Sequence, residues 1–120
     1  MKAVFDTNIL IDYLNGIVDA RRELTRYDSL LISPITWIEV MVGGKSEENT
    51  RLRDFLRRFD WVALDTAVAG VAARLRRTHR IKVPDAVVWA SAEVADALLV
   101  TRNTKDFPMD LPGIRVPYTL

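Results

Sequence analysis

The apolar positions of this chain follow two rhythms that alternate from end to end. Lys2 to Phe5 is short, apolar and strand-leaning; after it Ile9, Leu10, Tyr13 and Leu14 step at helical spacing until Asn15-Gly16 breaks the run. Residues 19 to 27, with Leu24 and Tyr27, predict a second helix, and Leu30-Leu31-Ile32 a second strand. Ser33-Pro34 opens a helix reaching about Val42, with Gly43-Gly44 as its stop, and a fourth helix fits Ser46 to Phe59 with Ser46 as its cap. "WVALD" at 61–65 reads as a third strand, Thr66 to about Thr78 and Pro84 to about Ala97 as helices, "ALLVT" as a fourth strand and "GIRVP" as an edge strand. Strands that alternate with helices need crossover connections. The pattern therefore predicts an α/β fold, a three-layer α/β/α sandwich around a mainly parallel five-stranded sheet. No linker, repeat or low-complexity segment interrupts it, so residues 1–120 read as one domain.

Composition narrows the classes. A hydrophobic content of 49% over 120 residues is sufficient for a single core. With 17 basic against 16 acidic residues the net charge is +1, so whole-molecule electrostatics select no polyanion or polycation as partner. The absence of cysteine removes disulfides, thiolate chemistry and Cys-type zinc sites together. Asp6 interrupts the first apolar stretch, and no later one approaches the ~20 apolar residues of a membrane span, which predicts a cytoplasmic domain with no membrane association.

Chemistry enters where the acids fall. In a parallel α/β sheet, ligands bind at the carboxyl ends of the strands, the edge where the following helices begin. Asp6 ends the first strand, Glu39 lies in the helix after the second, and Asp85 opens the helix before the fourth, so all three share one edge. Thr101 and Asn103 close the fourth strand there, with Asp106 a few residues on. Gathered carboxylates repel and desolvate one another, at a cost of roughly several kcal/mol unless a cation or shared protons offset it. Hard oxygen donors with no cysteine and one histidine suit Mg²⁺ or Mn²⁺ rather than zinc. Each acid also has a plainer role. Asp6 suits an N-cap and Asp85 a helix first turn, whereas Glu39, among Ile35, Trp37, Ile38, Val40 and Met41, is the hardest to explain structurally.

"VFDTNILIDYL", "ISPITWIEV", "VPDAVVWASA" and "LLVTRNTKDF", in this order and spacing, resemble the PIN-domain nucleases, and among them the VapC-type toxins of toxin–antitoxin pairs. The resemblance covers essentially the whole chain. It implies strand order 3-2-1-4-5, dependence on Mg²⁺ or Mn²⁺, endonucleolytic cutting of structured RNA such as tRNA or rRNA by a metal-activated water, a cognate antitoxin that blocks the site, and a homodimer. The matching acids are Asp6, Glu39 and Asp85, as catalytic residues and metal ligands. The fourth family position, frequently Asp, is Asn103, a neutral and weaker ligand, and Asp106 is the acid that would contribute beside it. Thr7, Asn8, Thr36 and Thr101 match polar family positions that hold the acids or water.

Other features point elsewhere or nowhere. "GGKS" at 43–46 is no phosphate loop, because the first glycine of that motif would fall on Glu39. The lone His79 cannot form a paired-histidine or Ser/His mechanism and reads as a solvated helix end. Arg51, Arg53, Arg57 and Arg58 in one helix are either a solvated face or phosphate contacts, as are Arg74, Arg77, Arg80, Lys82 and Arg102 for an RNA-cutting domain. Trp37, Trp61 and Trp89 are read as core or interface rather than as base-stacking residues. Two alternatives stay open: a receiver-type phosphoacceptor domain, which could use Asp65 although that residue reads more simply as a helix cap, and an inactive PIN fold used for binding.

Overall fold

A computed structural model describes residues 1–45 and 49–120. Five strands, β1 (Lys2–Phe5), β2 (Ser29–Ile32), β3 (Asp60–Trp61), β4 (Leu98–Val100) and β5 (Ile114–Arg115), make one sheet of order β3-β2-β1-β4-β5 in which every pair is parallel. The described helices are α1 (Thr7–Leu14), α2 (Val18–Leu24), α3 (Pro34–Gly43), α4 (Asn49–Leu56), α5 (Thr66–His79) and α6 (Val83–Val94).

Side-chain alternation sorts the core into two layers. Ala3, Phe5, Ile32 and Val100 face the cluster that includes Ile9, Leu10, Leu24, Val40, Leu52 and Leu56 from α1 to α4. Val4, Leu99 and Ile114 face the opposite cluster, built from α5 and α6 with Phe107. Helix α6 is buried without a break from Ala86 to Ala92, because the sheet covers one side and α5 another, which is why its sequence shows so little polar surface.

The predicted order of elements holds, with differences at their ends. The third strand keeps only Asp60–Trp61; beyond one more bond, from the Val62 amide to the Ile32 carbonyl (2.9 Å), the chain leaves the sheet so that Asp65 can cap α5. Helix α2 ends at Leu24, short of Tyr27, and α6 at Val94, where Asp96 turns left-handed (φ 52°). At the two expected helix stops, Gly16 turns left-handed (φ 82°), whereas Gly44 stays extended. Gly44 matters for a different reason: a Cβ there would run into the Leu52 side chain of α4. Ser46 lies outside the described residues.

Two buried carboxylates, not singled out from the sequence, fasten the far end of the chain to the first helices. Asp12 on α1 accepts from Arg102 Nε (2.7 Å) and Nη2 (3.0 Å) and from the Tyr118 hydroxyl (2.8 Å). Glu23 on α2 accepts from Arg115 Nε (2.6 Å) and Nη2 (3.1 Å) and from the Tyr27 hydroxyl (2.7 Å). Desolvation pushes the Glu23 carboxyl upward, but these donors outweigh it and hold the group below its usual range.

Candidate active site

Strands of one parallel register end level with one another, and here that brings the carboxyl ends of the three central strands to a common edge. The register Val4 to Leu31 and Phe5 to Val100 sets Asp6 just past the end of β1, where its amide donates to the Val100 carbonyl at 2.9 Å. Asp6 is the N-cap of α1, its Oδ1 accepting from the Thr7 amide at 2.8 Å. Its other oxygen is equally engaged, accepting from the Thr101 hydroxyl at 2.8 Å and from Asn8 Nδ2 at 3.2 Å. The residue is only 6% exposed. Burial pushes its pKa up, with the Glu39 charge adding to the rise, while the bonds from Thr101, Thr7 and Asn8 pull the other way.

Ser33 caps α3 through the Ile35 amide (3.1 Å), with Pro34 in the first turn, and this start presents Thr36 and Glu39 toward α1. Thr36 is fully buried and lies 3.4 Å from the Thr7 hydroxyl, which donates to Glu39 Oε1 at 2.6 Å. Glu39 itself is exposed, so the apolar setting suggested by its sequence neighbours does not surround its carboxylate. Asp85 stands in the first turn of α6 and is half-buried. Its pKa is pushed up to about 6, first by desolvation and then by the charges of Asp6, Asp106 and Glu39, with Lys82 alone opposing. Asp85 therefore feels the other three acids across this edge, and Asp6 feels Glu39.

The loop after β4 completes the site in a way the sequence did not reveal. Asn103 Oδ1 accepts from the Asp106 amide (3.2 Å), and Asn103 Nδ2 donates to Asp106 Oδ2 (3.0 Å). Asn103 thus builds the turn and holds the Asp106 carboxylate. Thr101, fully buried, also accepts from the Asn103 amide at 3.0 Å, so one hydroxyl serves Asp6 and the loop at once. Asn8 mirrors it, donating to Asp6 and accepting the Arg102 amide at 3.1 Å.

The donor set at this edge is all oxygen, anionic and short of cations, which fits a hard divalent ion. Among the described residues, however, no three acids converge on a single ligating position. Glu39 is turned onto Thr7 and Asp106 onto Asn103, so an ion would have to draw them from these partners.

A PIN domain family model matches residues 3–108. The chain belongs to the PIN domain family. Over 112 residues it is 34% identical to Ribonuclease VapC10 of Mycobacterium tuberculosis, covering 87% of this PIN domain chain and 84% of that protein. Ribonuclease VapC19 of the same species is 29% identical, with coverage of 96% and 98%. A chain in a toxin-antitoxin complex from Klebsiella pneumoniae superposes with a TM-score of 0.92 at 40% identity, over 98% of this chain and 99% of that one. VapBC2 from Rickettsia felis, bound to a DNA fragment from its promoter, shares the fold with a TM-score of 0.76 at 23% identity, over 100% and 99%.

In this PIN fold the basic residues expected on RNA are divided between ion pairs and solvent. Arg102, expected on RNA, spends its guanidinium on Asp12, and Arg74 pairs with Glu93 at 2.7 Å on the surface. Arg77 and Arg80 are exposed, and Lys82 stands beside Asp85 as the residue preceding α6. Asp65 caps α5 through the Val68 amide (2.9 Å), which with the family match removes the receiver reading. His79 is exposed at the end of α5 with its ring 4.7 Å from that of Trp89, and it enters none of the bonds of the acid edge. Trp89 is core, but Trp61 is 53% exposed. Asp12 escaped sequence reading although an acid inside "ILIDYL" was a usable signal; its arginine, 90 positions on, was not.

Proposed function

We propose that this PIN domain is an endoribonuclease and the toxin of a toxin–antitoxin pair, cutting structured RNA in the cytoplasm with Mg²⁺ or Mn²⁺ bound by Asp6, Glu39, Asp85 and Asp106. The observation that carries this reading is the gathering of these acids at one edge, where half-buried Asp85 is raised to about 6 first by desolvation and then by the charges of Asp6, Asp106 and Glu39, with Lys82 opposing. The names of its relatives, ribonucleases and a toxin–antitoxin complex, support RNA as the substrate class and an antitoxin as the partner, while the homodimer rests on the family resemblance alone. A divalent ion, when bound, supplies positive charge to the scissile phosphate and acidifies the attacking water. The protein's own residues prepare the place. Thr101 and Asn8 fix the Asp6 oxygens, Thr7 holds Glu39, and Asn103 holds Asp106 as the loop's anchor rather than as a ligand.

The test is cleavage of a purified tRNA and rRNA pool with Mg²⁺ and with EDTA, by the natural protein and by Asp85→Asn. We expect cutting with Mg²⁺ only, loss in the variant, and products bearing 5′-phosphate and 3′-hydroxyl ends, because no histidine pair is present to activate the substrate's 2′-hydroxyl. Cleavage that persists in EDTA and leaves cyclic phosphates defeats the metal reading. No cleavage under any condition, with RNA still bound, returns the inactive PIN fold.

A further inference from the structure

Beside the acid edge, two tryptophans meet where neither is fully covered. Trp37 on α3 and Trp61 at the end of β3 lie with ring centroids 5.9 Å apart, tilted by 58°. Trp61 is 53% exposed and Trp37 half-buried. Arg53 on α4 lays its guanidinium 5.5 Å from the centroid of the Trp37 ring and forms no salt bridge among the described residues. Arg57, one turn on, is tied only to the exposed Asp54 at 2.6 Å, a surface pair of little strength. These four side chains, with Leu56 and Phe59 as the floor, surround an open recess of ≈ 280 Å³.

What suits the recess follows from its two chemistries. An indole half in water gains from being covered by an apolar surface, whereas an apolar cover alone would strand the Arg53 charge. A planar aromatic ring with an anion attached satisfies both, and a nucleotide is that group: bases stack on aromatic side chains whatever their identity, and phosphates draw arginine. The location agrees. The registers Val4 to Leu31 and Ile32 to Trp61 set Trp61 level with Phe5, one residue short of Asp6 along the strands. Two strand spacings separate them, roughly 10 Å. A strand of RNA lying across the acid edge reaches the recess with the nucleotides flanking the cut.

We propose that the Trp37–Trp61 recess is a nucleotide subsite, in which Trp61 stacks on an unpaired base beside the cleavage position and Arg53 takes the adjoining phosphate. The inference rests on the endoribonuclease reading and adds a residue-level determinant of RNA binding to it.

The experiment titrates the full chain in EDTA, so that nothing is cut, with a ten-nucleotide oligoadenylate, with an abasic ribose-phosphate strand of equal length, and with inorganic tripolyphosphate. Oligoadenylate should quench tryptophan emission, and the other two should not. Trp61→Ala should weaken oligoadenylate binding ~10-fold. Trp61→Phe should keep most of the affinity while losing the quench, which separates stacking from any effect on folding. Arg53→Gln should flatten the dependence of binding on salt. Unchanged affinity in Trp61→Ala, or equal quenching by the abasic strand, overturns the subsite. So does a Trp61→Ala protein that binds RNA normally but loses its cognate antitoxin, since the recess would then be a protein contact. The parent reading fails separately, in the cleavage assay with Asp85→Asn.

Discussion

At the scale of single residues, the acids of the edge differ in how far each is committed to the protein itself. Asp6 uses both oxygens on three donors, and an asparagine there would turn an amide toward Asn8 Nδ2, donor against donor. Asp6→Asn should therefore lower the metal-free melting temperature as well as abolish cleavage. Glu39→Gln and Asp85→Asn should abolish cleavage with the melting temperature unchanged or raised, because each removes one charge from a repelling set while keeping its shape. Thermal denaturation of the three variants in EDTA reads the contrast directly, and a uniform fall would make all three structural. The acids were legible in the sequence because Asp6 and Asp85 stand at element boundaries and Glu39 in the helix that follows β2, so that topology alone assigns them to the edge. Asn103 was not, since its task is a turn closed by its own side chain, and that depends on the path of residues 103–106 rather than on residue type.

Elements were legible in proportion to how far their own periodicity determines them. Helices α1 and α5 fell where apolar spacing placed them, while β3 lost most of its expected length because an edge strand gains little by pairing further once Asp65 is needed as a cap. The junction between α1 and the loop after β4 was illegible, resting as it does on partners 90 and 106 positions apart. It is also the element contact most exposed to single changes. Arg102→Ala leaves Asp12 buried with its two strongest donors gone, a loss we expect to cost about 3 kcal/mol. Tyr118→Phe removes one hydroxyl and should cost about 1 kcal/mol. Urea denaturation checks both, and an Arg102→Ala protein as stable as the parent would mean that water replaces the guanidinium at Asp12. Because Arg102 directly follows Thr101, its loss should also reduce RNA cleavage without contact to RNA.

Across the whole molecule, charge is nearly balanced in number and unevenly spent: cations close the buried carboxylates of the first helices, and the acid edge is left with Lys82. The two arrangements respond to pH with opposite sign. Glu23 is held below its usual range, so its contribution is present above the ordinary glutamate value of 4.5 and fades as acid is added. Asp85 is raised from 3.8 to about 6, so the folded state holds its proton more tightly than the unfolded chain, and the stability this provides is present below 3.8 and lost as pH climbs to about 6. Asp6 is displaced in the same direction and adds to the same loss. In EDTA the protein should therefore melt lower at about pH 7 than at about pH 5. Asp85→Asn should shrink that fall without removing it, the remainder belonging to Asp6. Mg²⁺ should raise the melting temperature most at the higher pH, where protons no longer compete with the ion for the same oxygens. Among the described residues no other region combines raised carboxyl pKa values with so few cations, so the pH dependence and the Mg²⁺ response should disappear together when Asp85 and Asp6 are both neutralised. A double variant that still gains stability from Mg²⁺ in the same pH window would place the ion elsewhere.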